Sequence, residues 1–239
     1  MTRDGLGPDF FYVNGTPVMA LLYGLDIKAQ ERWGRPPDLV LSGPNEGRNT
    51  GYIVVSSGTV SNAQYAAMRG IPAIALSAGE DTRDNVALAN PKSREVAGLA
   101  ADFVDRLVRA KGEGPVMPMG TALNVNFPDD PGDAQWSVAR IGTFNRYSLK
   151  FVTDLSQEPS ARAYGLEDVK LPGVSVSIVS TAPAEDQNGD EAAVSERAIS
   201  VSVMQIAYDG SDDQRDWLAS TMAAMSSSPC EPAEAACAE

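Results

Sequence analysis

Residues 37–77 read PDLVLSGPNEGRNTGYIVVSSGTVSNAQYAAMRGIPAIALS. The apolar run Leu39-Val40-Leu41 enters a segment crowded with glycine, asparagine and serine, and a second polar cluster, Ser56-Ser57-Gly58-Thr59, follows it. Residues 59–69 then carry a helical pattern closed by Gly70, and the apolar run IPAIALSAG begins at once. Strand, loop, helix, glycine, strand is the order of a parallel βαβ unit, because parallel neighbours need a crossover and a helix usually supplies it. In open parallel sheets ligands sit beyond the carboxyl ends of strands, at loops that lead into helices. The loop between Leu41 and Val60 is in that position. Its glycines at 43, 47 and 51 leave few bulky side chains to fill a core. They leave many backbone N–H groups and amide oxygens, which suit a metal ion or a phosphate.

Outward from this unit the pattern continues. Residues 16–32 predict a helix with Thr16 as N-cap and Pro17 at the first helical position. Residues 92–111 predict another, with Val96, Leu99, Phe103, Leu107 and Val108 on one face. ALNVNFP (122–128) reads as a short strand, and QWSVARIG, VSVSIVS and AISVSVMQIAY read as β-type segments in the second half. The expected architecture is a single α/β domain over residues 1–226. Its core covers about 12–130, a β-rich extension about 131–210 and a C-terminal helix about 212–226, followed by a polar tail, 227–239, expected to lack order.

Composition narrows the function classes. The chain has 239 residues, 19 basic against 32 acidic, for a net charge of −13. That balance argues against polymeric nucleic acid or an anionic membrane as the main partner, since both need a basic footprint. There is no apolar run of about 18 residues, and the N-terminus lacks the apolar core of a signal peptide, so a cytoplasmic protein is expected. Cys230 and Cys237 are the only cysteines, and they sit in the tail. The chain contains no histidine, which removes Ser-His-Asp and Cys-His catalysis and His-ligated zinc within this polypeptide.

The glycine spacing in the loop matches neither the dinucleotide fingerprint nor a P-loop. Asn45, just past a strand end, offers a neutral amide oxygen to a hard divalent cation. Ser57-Gly58-Thr59 opens a helix, where free N–H groups and the dipole favour a phosphate oxygen. On purely structural grounds, Asn45 and Asn49 read equally as turn residues and Thr59 as an N-cap.

The stretch 37–77 resembles the core signature of the SurE family, S-G-I-N-x-G-x-N-x-G, then S-G-T-V, a helix and G-x-P-A-I-A-x-S. YVNGTP upstream resembles the family's V-D-G-T-P; LNVNFP matches L-N-V-N-x-P; NGDEAAVSERAISVSVMQ resembles T-D-x-x-A-V-x-x-G-x-x-S-I-T-P-L. The matches keep their order across roughly residues 12–206. The resemblance implies a Rossmann-type three-layer α/β/α core with a β-extension, assembled as a homodimer or homotetramer. It also implies a phosphatase for nucleoside 5′- and 3′-monophosphates, dependent on Mg²⁺ or Mn²⁺. By match, Asn45 is the metal-binding asparagine, and Ser42, Gly43, Ser57, Gly58 and Thr59 line the phosphate or substrate site.

Family members open with a strand ending in N-D-D-G, whose aspartates are the main metal ligands; this chain has eleven residues before Tyr12. The expectation is a SurE-like core lacking its first βαβ unit and that carboxylate pair, with an apolar sheet edge exposed. Asp4-Gly5 resembles the D-G only in passing. Pro44 stands where the family has Ile and removes one N–H from the loop. The alternative function is a non-hydrolysing domain that binds a nucleotide or a protein. A nicotinamide oxidoreductase lacks its fingerprint. Trp33, Trp136 and Trp217 are expected to pack, Asn124 and Asn126 to bond neighbouring loops, and Asp190 to be structural. The acidic run from Glu185 to Glu191 is expected to be a solvated connection.

Overall fold

A computed structural model describes residues 7–83, 90–159, 161, 165–206 and 211–227. Asp4, Cys230, Cys237, residues 228–239 and the last two positions of the segment 198–208 lie outside the described residues. Contacts divide the chain into one unit ending at Ile206 and a second beginning at Ala207.

In the first unit the chain opens with helix α1 (Pro17–Leu22), which runs through a π-helical turn (Tyr23–Lys28) into α2 (Ala29–Trp33). Thr16 caps it as expected, its Oγ1 accepting from the Met19 N–H at 3.4 Å, with Pro17 where its missing N–H costs nothing. Then follow β1 (Val40–Glu46), a 3₁₀ turn (Gly51–Ser56), α3 (Gly58–Met68), β2 (Ala73–Ala78), α4 (Pro91–Ala110) and β3 (Ala122–Asn126). After these come β4 (Trp136–Ala139), β5 (Tyr147–Val152), β6 (Gly173–Ile178), α5 (Glu191–Val194) and β7 (Ile199–Met204). The second unit contains α6 (Asp212–Ser227), whose first turn carries Asp212 and Asp213. Acids there complement the helix dipole.

One sheet runs in the order β1-β2-β3-β7-β4. β1, β2 and β3 are parallel, β7 is antiparallel to β3, and β4 is parallel to β7. This is the expected α/β architecture. The second half divides more finely than its composition suggested: β4 and β7 complete the core sheet, and only β5 and β6 pair separately, as an antiparallel ribbon. β1 forms one edge of the sheet, with Leu41 48% exposed.

The two faces of the sheet are packed differently. On one, Val96, Leu99, Phe103 and Leu107 of α4 meet Ile74, Leu76, Leu123, Val125 and Phe127. Trp136 closes this layer, stacked on Phe103 with centroids 4.5 Å apart and edge-on to Phe127. On the other, α3 lays Val60, Ala63, Ala66 and Ala67 against Ala73, Ala75, Ala122 and Met204. Toward the carboxyl ends of β2 and β3 that second face turns polar. Ser77, Asn124, Asn126, Ser200 and Ser202 are all fully buried there. Buried amides and hydroxyls need partners; the loop after β1 and α5 supply them to Ser77 Oγ, Asn124 Nδ2 and Asn126 Oδ1, while Asn124 Oδ1, Asn126 Nδ2, Ser200 Oγ and Ser202 Oγ have none among the described residues.

Candidate functional site

Register between β1 and β2 shifts between Ser42 and Asn45. Ser42 pairs with Ala75 and Asn45 with Ser77, so Gly43 and Pro44 together oppose Leu76. Gly43 has φ 110° and lies so close that a Cβ would stand 2.2 Å from the Leu76 carbonyl oxygen. Only glycine fits that bulge. The Gly43–Pro44 peptide is cis. Ser42 is buried, whereas Asn45 is half-buried and donates from Nδ2 to the Gly47 carbonyl at 2.8 Å. Asn45 therefore makes the turn bond and still presents its amide oxygen. With Pro44, Glu46, Ala78, Thr82, Ser93, Val96 and Ala97 it lines a pocket of about 200 Å³.

Ser57, not Thr59, is the N-cap of α3, with Oγ accepting from the Val60 N–H at 3.1 Å. The first N–H groups of a helix have no intrahelical acceptor. With Val60 taken by the cap, those of Gly58 and Thr59 are left for an external acceptor, in the positive field of an eleven-residue helix. Ser57, Gly58 and Thr59 are thus brought together at the start of one helix. They do not line the pocket of Asn45, so the two groups of site residues named from sequence are not gathered into one cavity.

Gly58 has a structural reason of its own. A Cβ there would stand 2.6 Å from Cγ of Pro17, at the first turn of α1. Gly58→Ala is expected to push α1 off α3 and lower stability by about 1–3 kcal/mol. Pro17→Ala should restore part of that loss, and urea unfolding of the two single variants and the double variant checks it.

Between these groups the loop is tied down by residues that spacing did not reveal. The Asn49 N–H donates to Asn126 Oδ1 and Asn49 Nδ2 to Ser77 Oγ, both at 2.8 Å. Asn124 Nδ2 donates to the Asn49 carbonyl at 2.8 Å and to Glu191 Oε2 at 2.9 Å. Glu191 Oε1 accepts from the Gly51 N–H at 3.2 Å. Asn124 and Asn126 thus bond the neighbouring loop, as expected. Asn49 proves to be a buried clamp rather than a surface turn residue.

Arg48, also buried, donates to the Ser195 carbonyl at 2.8 Å and pairs with Glu196 at 3.2 Å and Asp129 at 3.6 Å. Tyr52 and Tyr147 extend the contacts: the Tyr52 N–H donates to Asn145 Oδ1, and Tyr147 donates to Glu80 Oε1 at 2.9 Å. Burial pushes the Tyr147 hydroxyl up to about 12.

The acidic run ending at Glu191 requires a correction. Glu185 and Asp186 are exposed, but Asp190 and Glu191 are 1% and 0% exposed. Asp190 accepts from Arg140 Nε at 2.7 Å and from the Thr143 and Phe144 N–H groups at 2.9 Å. Burial alone would raise its pKa, but the Arg140 and backbone hydrogen bonds prevail and hold it below the usual value. Glu191 goes the other way. Burial outweighs its bonds to Asn124 and Gly51 and the nearby Ser202 hydroxyl, raising it to about 7. One signal in the sequence could have marked both residues, a charged pair running straight into Ala192-Ala193-Val194.

A divalent cation such as Mg²⁺ or Mn²⁺ takes about six oxygens, with carboxylates carrying most of the affinity. Among the described residues no group of three or more Asp, Glu, His or Cys side chains is placed to hold a metal. The pocket of Asn45 offers one amide oxygen and a single carboxylate, that of Glu46. These residues do not fit a divalent site. No helix among the described residues is long and apolar enough to cross a membrane.

With the geometry in hand, comparison with known proteins gives consistent matches. The family described as Survival protein SurE matches residues 2–148. A 5′-nucleotidase SurE of Roseobacter denitrificans is 37% identical over 161 residues, 66% of this chain and 59% of the relative. One from Geobacter metallireducens is 37% identical over 159 residues, 66% and 56% of the two. The chain therefore spans less than two thirds of the length of these curated relatives. The crystal structure of SurE protein from Aquifex aeolicus superposes with a TM-score of 0.58 at 27% identity, covering 86% of this chain and 74% of that one.

Proposed function

The chain belongs to the SurE family, and on that premise we propose that it is a nucleotidase-type phosphomonoesterase acting on nucleoside monophosphates. The observation that carries the reading is the capped start of α3 beyond the carboxyl end of β1. Gly58 and Thr59 present N–H groups where a phosphate oxygen is favoured, while Ser57 holds the turn in shape. Relatives named 5′-nucleotidase SurE, similar over this same region, support the assignment of substrate class. In this reading Ser57, Gly58 and Thr59 receive the phosphate, while Ser42, Gly43 and Asn45 belong to the preceding bulge and to a separate pocket. The residues of this chain bind and orient the phosphate. Among the described residues no group of three or more acids is placed to hold a metal, and no step is derived through one.

That last observation favours a second reading, a domain that binds a nucleotide without hydrolysing it. Phosphate release from AMP by the full chain, with Mn²⁺ and then with excess EDTA, separates the two. Metal-dependent release that Asn45→Ala lowers supports the phosphatase. AMP binding that persists in EDTA with no release establishes the binding domain instead. An assembly of two or four copies, which the family resemblance implies, is checked by light scattering on the same sample.

A further inference from the structure

Glu191 is fully buried on the polar half of the sheet, and among the described residues its carboxyl is bonded by the Asn124 amide and the Gly51 N–H but by no basic side chain. Asn124 Oδ1 and Ser202 Oγ are buried there without a hydrogen-bond partner among the described residues. Asn124 and Ser202 face each other across β3 and β7 in register, and the Asn124 amide bonds Glu191. Both Asn124 N–H groups are spent, one on Glu191 and one on the Asn49 carbonyl. Ser202 lies close enough to bias the carboxyl toward its anion yet outside hydrogen-bond geometry. A hydroxyl can donate or accept. A protonated carboxyl can donate to the Ser202 oxygen, which has no partner among the described residues.

The charged groups around it are committed elsewhere. Asp190, beside it in α5, is paired with Arg140 and contributes repulsion. Arg48, on the clasped loop, is spent on Ser195, Glu196 and Asp129. Arg146, before β5, pairs with Glu196 as well. β3 and β7 face Glu191 with amides and hydroxyls only.

We infer that Glu191 is a positioning residue for this end of the molecule: in its neutral form it donates to Ser202 Oγ, accepts from Gly51 and Asn124, and so fastens to the sheet the turn that delivers Ser57. The Gly51–Ser56 turn ends at that serine, so loosening Gly51 loosens the start of α3. The carboxyl's upward displacement to about 7 agrees with a proton held there near neutrality. Ionisation puts an uncompensated charge in a dry site, which local opening relieves. The consequence for ligand binding rests on the reading of Ser57–Thr59 as a phosphate cradle; the clasp itself does not.

The test uses the full chain, with ¹³C NMR of the glutamate carboxyl carbons and hydrogen exchange at the Gly51 N–H, corrected for intrinsic base catalysis. One glutamate carbon should titrate near pH 7 and vanish in Glu191→Gln. Gly51 protection should fall by up to about tenfold per pH unit between about 4.5 and about 7 and level off above that. In Glu191→Gln, whose amide can still donate, it should stay level with pH. Ser202→Ala decides the direction of the bond: the midpoint falls if the carboxyl donates to the hydroxyl and rises if the hydroxyl is only a donor. A rise, no glutamate titrating above the ordinary carboxylate range, or pH-independent protection in the unaltered chain overturns the inference. These readings hold even if Glu191→Gln does not fold. Binding of inorganic phosphate is measured alongside. Binding that weakens through the same midpoint supports the coupling, whereas none at any pH removes the cradle and leaves the Gly51 result to decide the clasp.

Discussion

Asp190→Ala is expected to destabilise the fold by about 2–4 kcal/mol, through the backbone it leaves behind rather than through the ion pair it removes. Arg140 is 64% exposed on its side chain, so water can take over its charge once the carboxylate is gone, and the pair itself contributes little. The Thr143 and Phe144 N–H groups are in a different position. Both donate to one Asp190 oxygen at 2.9 Å, and Phe144 is buried against Ala192 and Ala193 of α5. Truncation leaves the buried Phe144 amide without an acceptor, and the Thr143 amide, on an exposed residue, to water. Asp190→Asn keeps an acceptor oxygen there and should recover more than half of the loss. Urea unfolding reads both, as a lower midpoint at unchanged slope. A loss below about 1 kcal/mol for Asp190→Ala would mean that the Phe144 amide finds water as well.

Asp190 also marks where the sequence stops being legible. The strands, the helices and their caps are local patterns: Thr16-Pro17, the stripe Val96, Leu99, Phe103 and Leu107, and the short strand in 122–128 stand where they were expected, whereas Val108, placed on the same stripe, is 42% exposed. The clasp on the loop is not local. Gly51 meets Glu191 at a separation of 140 residues, Arg48 meets Ser195 at 147, and Asn49 meets Asn126 at 77. No periodicity connects such positions. Asn45 and Ser57–Thr59 were named as candidates because residue type in a loop is read directly from the sequence. That the pocket of Asn45 does not include Ser57–Thr59 is a matter of tertiary placement, which residue type does not carry. β5 is missing from that reading although Tyr147-Ser148-Leu149-Lys150-Phe151 alternates apolar with polar as a strand does; its pairing with β6 is set across the intervening loop.

The two neighbouring acids of α5 should give the stability a limb on each side of an acidic optimum. For Asp190 the folded pKa lies below its ordinary 3.8, so its contribution is present above that value and is lost as pH falls through the folded pKa. For Glu191 the folded pKa, about 7, lies above its ordinary 4.5, so the fold holds the extra proton in between. Stability from this group is complete below about 4.5 and drains away as pH rises to about 7. At roughly 1.4 kcal/mol per pKa unit, that displacement amounts to about 3 kcal/mol. The unfolding free energy should therefore peak near pH 4–5 and decline toward neutrality by about this much, provided the remaining groups titrate alike in both states. Glu191→Gln, which is neutral throughout, should flatten the alkaline limb and leave the acid limb standing. Denaturant melts of both chains from about pH 4 to about pH 8 measure it. Parallel curves would show that Glu191 is ionised without cost in the fold, and that its burial is offset by groups other than Asn124, Gly51 and Ser202.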